Sequence, residues 1–324
     1  MQRNLLSYVI ITLKGIAMGA ADVVPGVSGG TIAFVAGIYE ELITTIDRLD
    51  LGIFKLWKRE GFKAMFARYN LGFLVSLFFG MFISILSLAQ LIEYLLENHP
   101  IIVWSFFFGL VLASILFIGK QIKKWTLAVI FVVIIGAVIA YYITIAIPGT
   151  APDVWYYFMF SGFIAIIAMI LPGVSGSFIL VLLGSYGMVL GTLNDFISGL
   201  RAGDWELVKT SFFKVFLFII GCIVGLKLFS KALKWMFAHK KELTLAVLTG
   251  FMIGSLNKIW PWKEVLSTRM DRHGEEVPLL ERSIFPNSYE GDALLLYALV
   301  AAIVGFAVIL ILERMALQKD THAD

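Results

Sequence analysis

The chain has 324 residues, of which 60% are hydrophobic and 15% charged, with a net charge of +3 and a mean hydropathy of +0.90. A soluble domain carries roughly 25% charged residues and far less apolar sequence, so a soluble enzyme is excluded and no nucleic-acid partner is expected. The single cysteine, Cys222, excludes an intramolecular disulfide.

In chain order, interrupted apolar stretches at 5–22 and 27–46 come first, then long apolar runs at 71–96, 101–119 and 125–147. The pattern starts again with interrupted stretches at 155–171 and 176–199, and ends with long runs at 211–230, 242–260 and 293–313. The long runs reach or exceed the ~18–20 residues that cross a bilayer. They predict an all-α polytopic membrane protein, because barrel strands alternate in segments of about ten residues. The tryptophans fall in loops or near segment ends, where an interfacial belt puts them. Lys14 interrupts the first apolar stretch, which argues against a cleaved signal peptide.

Charge orients these runs. Lys and Arg crowd 47–70, 120–124 and 231–241, whereas 97–100 and 148–153 have none. The positive-inside rule then places the first three connections, and both termini, in the cytoplasm. Within the first connection, 51–66 reads as a basic amphipathic helix lying on the membrane surface. The mixed-charge stretch 257–292 falls outside. Charge does not separate ten spans from six spans plus two re-entrant hairpins.

The interrupted stretches share a motif. Pro25, Gly26, Val27, Ser28 and Gly29 recur as Pro172, Gly173, Val174, Ser175 and Gly176, and eight of fifteen positions from 25 to 39 match 172–186. The register continues with Gly15 on Gly162 and, after a six-residue slip, Gly80 on Gly221 and Gly109 on Gly250. Two halves follow, 1–148 and 149–324, the second carrying the extra loop 257–292. Each half has an odd number of crossings, so the second is expected to be inverted, each half having three transmembrane helices and one interrupted or re-entrant hairpin. Inverted repeats build secondary transporters whose sites lie on broken helices between the repeats.

A break at membrane depth survives only where it is buried in protein or lines a wet cavity. Helices starting near Ser28 and Ser175 would aim free N–H groups and the positive dipole end into the breaks, which suits an anion such as phosphate. The candidate binding residues are therefore Pro25 through Gly29 with Gly30 and Thr31, and Pro172 through Gly176 with Ser177. Lys14 and Asp22, eight residues apart in the first region, are candidates for charge neutralisation or coupling, since charge at such depth is costly. Ser161 and Met169 occupy their equivalent positions, so coupling would be asymmetric. Small-residue pairs at Gly15/Gly19, Gly187/Gly191, Gly221/Gly225 and Gly250/Gly254 fit close helix packing instead.

No catalytic role is expected. Gly26-Val27-Ser28-Gly29 fits a loose serine-hydrolase pattern, but that chemistry needs a histidine base, and His99, His239, His273 and His322 fall in loops or at the terminus. No metal site or cofactor is expected either. A small-anion channel remains an alternative to a transporter.

The stretch Asp22-Val-Val-Pro-Gly-Val-Ser-Gly-Gly-Thr31, with the second Pro172-Gly-Val-Ser-Gly-Ser177, resembles a bacterial family of polyprenyl-phosphate (undecaprenyl-phosphate) translocases, formerly known only as a membrane domain of unknown function. The resemblance runs over essentially the full chain. It implies return of the lipid carrier phosphate from the outer to the inner leaflet for cell-wall synthesis, with membrane lipids around the protein. Self-association is left open.

Overall fold

The computed structural model describes residues 3–24, 26–152, 154–270 and 276–320. Its first half comprises α1 (Leu5–Val23), α2 (Gly29–Val35), α3 (Tyr39–Arg48), α4 (Gly52–Arg68), α5 (Leu71–Asn98), α6 (Pro100–Gln121) and α7 (Leu127–Ile145). The second comprises α8 (Trp155–Ile170), α9 (Gly176–Leu182), α10 (Tyr186–Ala202), α11 (Trp205–His239), α12 (Lys241–Ser255), the strands β1 (Lys263–Met270) and β2 (Glu276–Ser283), and α13 (Leu295–Asp320).

Among the described residues, six helices have the length and hydropathy to cross a membrane: α1, α5, α6, α7, α11 and the 295–314 part of α13. Their large apolar side chains also point outward, as Phe78, Phe79 and Phe82 do on α5 and Ile134 and Ile139 on α7. Apolar residues all round a helix mark a membrane span or a buried one. Two expected spans change places. The 5–22 stretch forms one continuous helix of 19 residues, whereas the 242–260 run stops being helical at Ser255, after 15. Pro261 cannot continue a helix, and Asn257 turns aside to donate to Thr144 Oγ1 at 2.8 Å and accept from Ser283 Oγ at 2.9 Å.

Four helix pairs, α1–α5, α8–α11, α6–α13 and α7–α12, form the frame. Glycines let these pairs touch backbone to backbone. A Cβ at Gly15 would overlap Leu77 O and one at Gly80 would overlap Thr12 O; in the second half, Gly162 meets Phe218 O and Gly221 meets Met159 O. Gly109 meets Ala302 O and Gly305 meets Phe106 O, just as Gly250 meets Val133 O and Gly136 meets Val247 O. Every contact of one set maps onto the other through the sequence shifts 147 (12→159), 141 (80→221) and 169 (136→305). In the α6–α13 and α7–α12 pairs, each partner comes from a different half, so the halves are interlocked. Gly187 and Gly191 have nothing within 4 Å of a Cβ position and do not serve as packing glycines.

Polar contacts gather at the two ends of the frame. At one end Arg3 pairs with Glu41 at 2.5 Å, Lys234 with Asp47 at 2.7 Å and Lys241 with Glu40 at 3.0 Å, while Lys123 N donates to Glu242 at 2.9 Å. These are the connections that the sequence places together on one side. The described chain is mostly helical, as an all-α polytopic protein should be, and the other end adds the one exception among the described residues, an antiparallel hairpin of β1 and β2 within 257–292. Its charged residues, among them Lys263, Glu264, Glu281 and Arg282, interrupt the apolar pattern that would mark strands in the sequence. Trp260 and Trp262 pin its base by donating to Ile284 O at 2.8 Å and Ala293 O at 2.9 Å.

Candidate functional site

Each half breaks its first long helix with a tight turn that needs glycine. Gly26 has φ +86° and Gly173 φ +83°, a left-handed backbone that side chains with a Cβ rarely adopt. Pro25 lies outside the described residues, whereas Pro172 is buried. The following serine caps a short helix. Ser28 Oγ accepts from Gly30 N at 3.1 Å. Ser175 Oγ accepts from Phe178 N at 3.4 Å and lies 2.9 Å from Ser177 Oγ. Both α2 and α9 end after seven residues, just before Gly37 and Gly184, which have φ +68° and +67°.

The short helices fold back along the helices before them. Asp22 Oδ1 accepts from Gly29 N at 2.6 Å at the start of α2, and Lys14 Nζ donates to Ala36 O at its end. In the second half Tyr157 OH donates to Leu183 O at 2.8 Å. Leu183 is the 147-shifted equivalent of Ala36, so the same carbonyl is capped by an ammonium in one half and a phenol in the other. At the N-terminal end the halves differ more. Met169 replaces Asp22, and among the described residues no side chain accepts from the N–H of Gly176 or Ser177.

The two turns meet. Ser28 Oγ donates to Leu171 O at 3.2 Å, Gly173 N donates to Thr31 Oγ1 at 3.1 Å, and Tyr39 OH donates to Ile170 O at 3.2 Å. Gly30 is needed for this approach, because a Cβ there would lie 2.7 Å from Ile170 O. Between the turns is a cleft lined by Gly26, Gly173, Val174, Ser175, Phe178 and Lys258, with Thr144 of α7 on its wall. Its volume of about 10 Å³ is room for a water at most.

The sequence-derived candidates separate into groups. Gly26, Gly173, Val174 and Ser175 line the cleft, and Ser177 is exposed at the start of α9. Val27, Ser28, Gly29, Gly30 and Thr31 are buried, and the N–H groups of Gly29, Gly30 and Thr31 are all committed within the protein. Gly176 sits against Ala165 O. Lys14 is not at the turns: it faces the far end of α2, and the Asp22 carboxylate already occupies that helix's N-terminus. Lys14 and Asp22 therefore bracket α2.

The cationic residue at the cleft is Lys258, which sequence reading records only as part of a mixed-charge loop. Its Nζ lies 3.1 Å from Glu281 Oε2 and 4.8 Å from the centre of the Phe178 ring. Lys263 Nζ lies 3.6 Å from the same carboxylate oxygen and 3.7 Å from the Trp104 ring centre. Burial pushes Lys263 down to about 8, partly offset by Glu281. Burial alone would raise Glu281, but Lys263 and Lys258 beside it outweigh this and hold its carboxyl below the ordinary value. Twenty-three residues separate Lys258 from Glu281, and only the hairpin brings them together. No local pattern could have linked them.

Chemically, the cleft offers neutral donors and one ammonium, which can hold an anion. Among the described residues, no three His, Cys, Asp or Glu side chains group closely enough to hold a metal.

Residues 18–277 match the family model described as undecaprenyl phosphate translocase-like. A polyprenyl-phosphate transporter of Vibrio cholerae serotype O1 is 44% identical over 315 residues, covering 96% of this chain and 98% of that protein. A polyprenyl-phosphate transporter of Staphylococcus aureus is 30% identical over 263 residues, covering 77% and 85%. No solved structure matches the chain.

Proposed function

The chain belongs to the undecaprenyl phosphate translocase-like family, and on that premise we propose that it moves undecaprenyl phosphate, or a related polyprenyl phosphate, from the outer to the inner leaflet of a bacterial cytoplasmic membrane. The observation that carries this reading is the meeting of the two glycine turns at one cleft. A lipid phosphate needs a polar site for its head and a lateral opening for its tail, and no bond need be made or broken.

The head binds between the turns, with the N–H groups of Gly176 and Ser177 as its freest backbone donors, and the isoprenoid tail stays in lipid. The two halves are inverted repeats, 1–148 and 149–324, and rearrangement of one against the other alternates exposure of the cleft. The glycine contacts that map from half to half support that symmetry. The basic end of the frame is cytoplasmic, together with both chain termini, and the hairpin end faces out.

Reconstitution tests this. Polyprenyl phosphate is placed in one leaflet of liposomes containing the full chain, and its movement is followed alongside chloride flux. Wild type moves the lipid. Gly26→Leu is expected to slow movement by at least about tenfold, because a side chain there meets Lys258 at 2.7 Å and takes the space between the turns that the headgroup needs. Gly37→Leu imposes the same left-handed strain in open space and is expected to transport nearly normally. Undiminished movement by Gly26→Leu would remove the cleft from the mechanism. Chloride flux without lipid movement would make the protein an anion channel.

A further inference from the structure

Building on that reading, we propose that Lys258 is the counter-ion of the lipid phosphate in the cleft, and that Glu281 is the resident carboxylate the phosphate displaces from it. Lys258 bridges two parts of the molecule. Its stem packs on Gly26, with Cγ 2.7 Å from where a Cβ would stand, so the lysine itself fills the space between the turns. Its ammonium points to the hairpin, where Glu281 Oε2 holds it at 3.1 Å. The cleft is closed because this side chain lies across it.

The charges around that carboxylate do not balance. One oxygen of Glu281 faces both Lys258 and Lys263, at 3.1 and 3.6 Å. Lys263 is 8% exposed and makes no hydrogen bond among the described residues. The three groups together carry a net charge of +1, in a place where solvent screens weakly. A phosphate monoester carries about −1.5 to −2 near neutral pH, with several strong acceptor oxygens. It is therefore a better partner for Lys258 than a single carboxylate. Lysine also suits an exchange, because its charge sits on a flexible four-carbon stem, unlike the rigid fork of arginine.

The exchange is local. The hairpin base stays fixed by Asn257 with Ser283 and by Trp260 with Ile284 O, so releasing Glu281 does not require the strands to unpair. When the phosphate arrives, Lys258 swings off Gly26 towards it and the space between the turns opens. Headgroup recognition and opening of the cleft thus become one event, and a neutral lipid head has no means to cause it.

The test measures the half-saturating concentration of polyprenyl phosphate for transport in liposomes, with gel filtration and thermal unfolding to show that each variant is folded. Lys258→Gln is expected to raise it by at least about tenfold, the effect of losing one charge-assisted hydrogen bond, and Lys258→Arg to recover part of the loss. Glu281→Gln is expected to lower it, since Lys258 no longer has a competing anion. In the Lys258→Gln/Glu281→Gln double variant that gain should disappear. If wild type transports while folded Lys258→Gln keeps a normal half-saturation, the counter-ion role is wrong and the transport reading stands. Weakening by Glu281→Gln as large as that by Lys258→Gln would make the pair a structural clasp and overturn the displacement. If wild type moves no polyprenyl phosphate, the transport reading fails and this inference falls with it.

Discussion

Asp22 and Lys14 stand half-buried at the two ends of one short helix, α2. A seven-residue helix is too short to be stable alone, and its backbone leaves donors open at one end and acceptors at the other. Asp22 takes the Gly29 N–H at 2.6 Å and Lys14 reaches Ala36 O, so opposite charges sit at the dipole ends that favour them. Asp22→Ala leaves a buried N–H without a partner and should cost about 1–3 kcal/mol, read as a lowered thermal midpoint in detergent micelles. Asp22→Asn keeps an acceptor and should lose less than half as much. Equal losses would show that the negative charge, not the hydrogen bond, holds α2, and no loss in either variant would sink this account. The eight-residue spacing put both residues on one helical face in the sequence. It could not show that α2 folds back between them, because that depends on the left-handed turn at Gly26 and on packing against Leu171 and Ile170.

At the scale of helices, packing depends on where backbones touch. Gly109 and Gly305 bring α6 and α13 together, and Gly250 and Gly136 bring α12 and α7 together by the equivalent contacts. Between membrane helices such approach supplies the dispersion contact that a hydrophobic effect cannot. Gly109→Ala and Gly250→Ala should each cost about 1–3 kcal/mol, as overpacking usually does. Gly187→Ala should be neutral or mildly stabilising, since its Cβ meets nothing and alanine is the better helix former. Thermal unfolding of the three variants checks this, and a Gly187→Ala loss matching the other two would refute it. The sequence made the 147 and 141 shifts legible through identical glycines. The 169 shift was hidden, because α7 and α13 match mainly at Gly136 and Gly305 and the hairpin intervenes. Small-residue spacing alone also picked out Gly187 and Gly191, which shows that the spacing permits contact but does not create it.

For the whole molecule, what matters is which way the cleft faces. Arg3, Glu40, Glu41, Asp47, Lys123, Lys234, Lys241 and Glu242 meet at one end of the frame, and the hairpin carrying Glu281 closes the other. In the orientation proposed above, where the charge rule puts the basic end in the cytoplasm, Lys258 and the cleft would face the outer side, where a spent carrier phosphate would be collected. Labelling tests this in a Cys222→Ala background, with a single new cysteine at Lys124 or Glu264, both exposed and at opposite ends. A membrane-impermeant maleimide added to spheroplasts should label Glu264→Cys and spare Lys124→Cys, and inside-out vesicles should reverse the result. Labelling of Lys124→Cys from outside would invert the molecule and open the cleft to the cytoplasm. Lys258 would then stand on the side where the lipid is released, and the proposed direction of transport would have to be reversed with it.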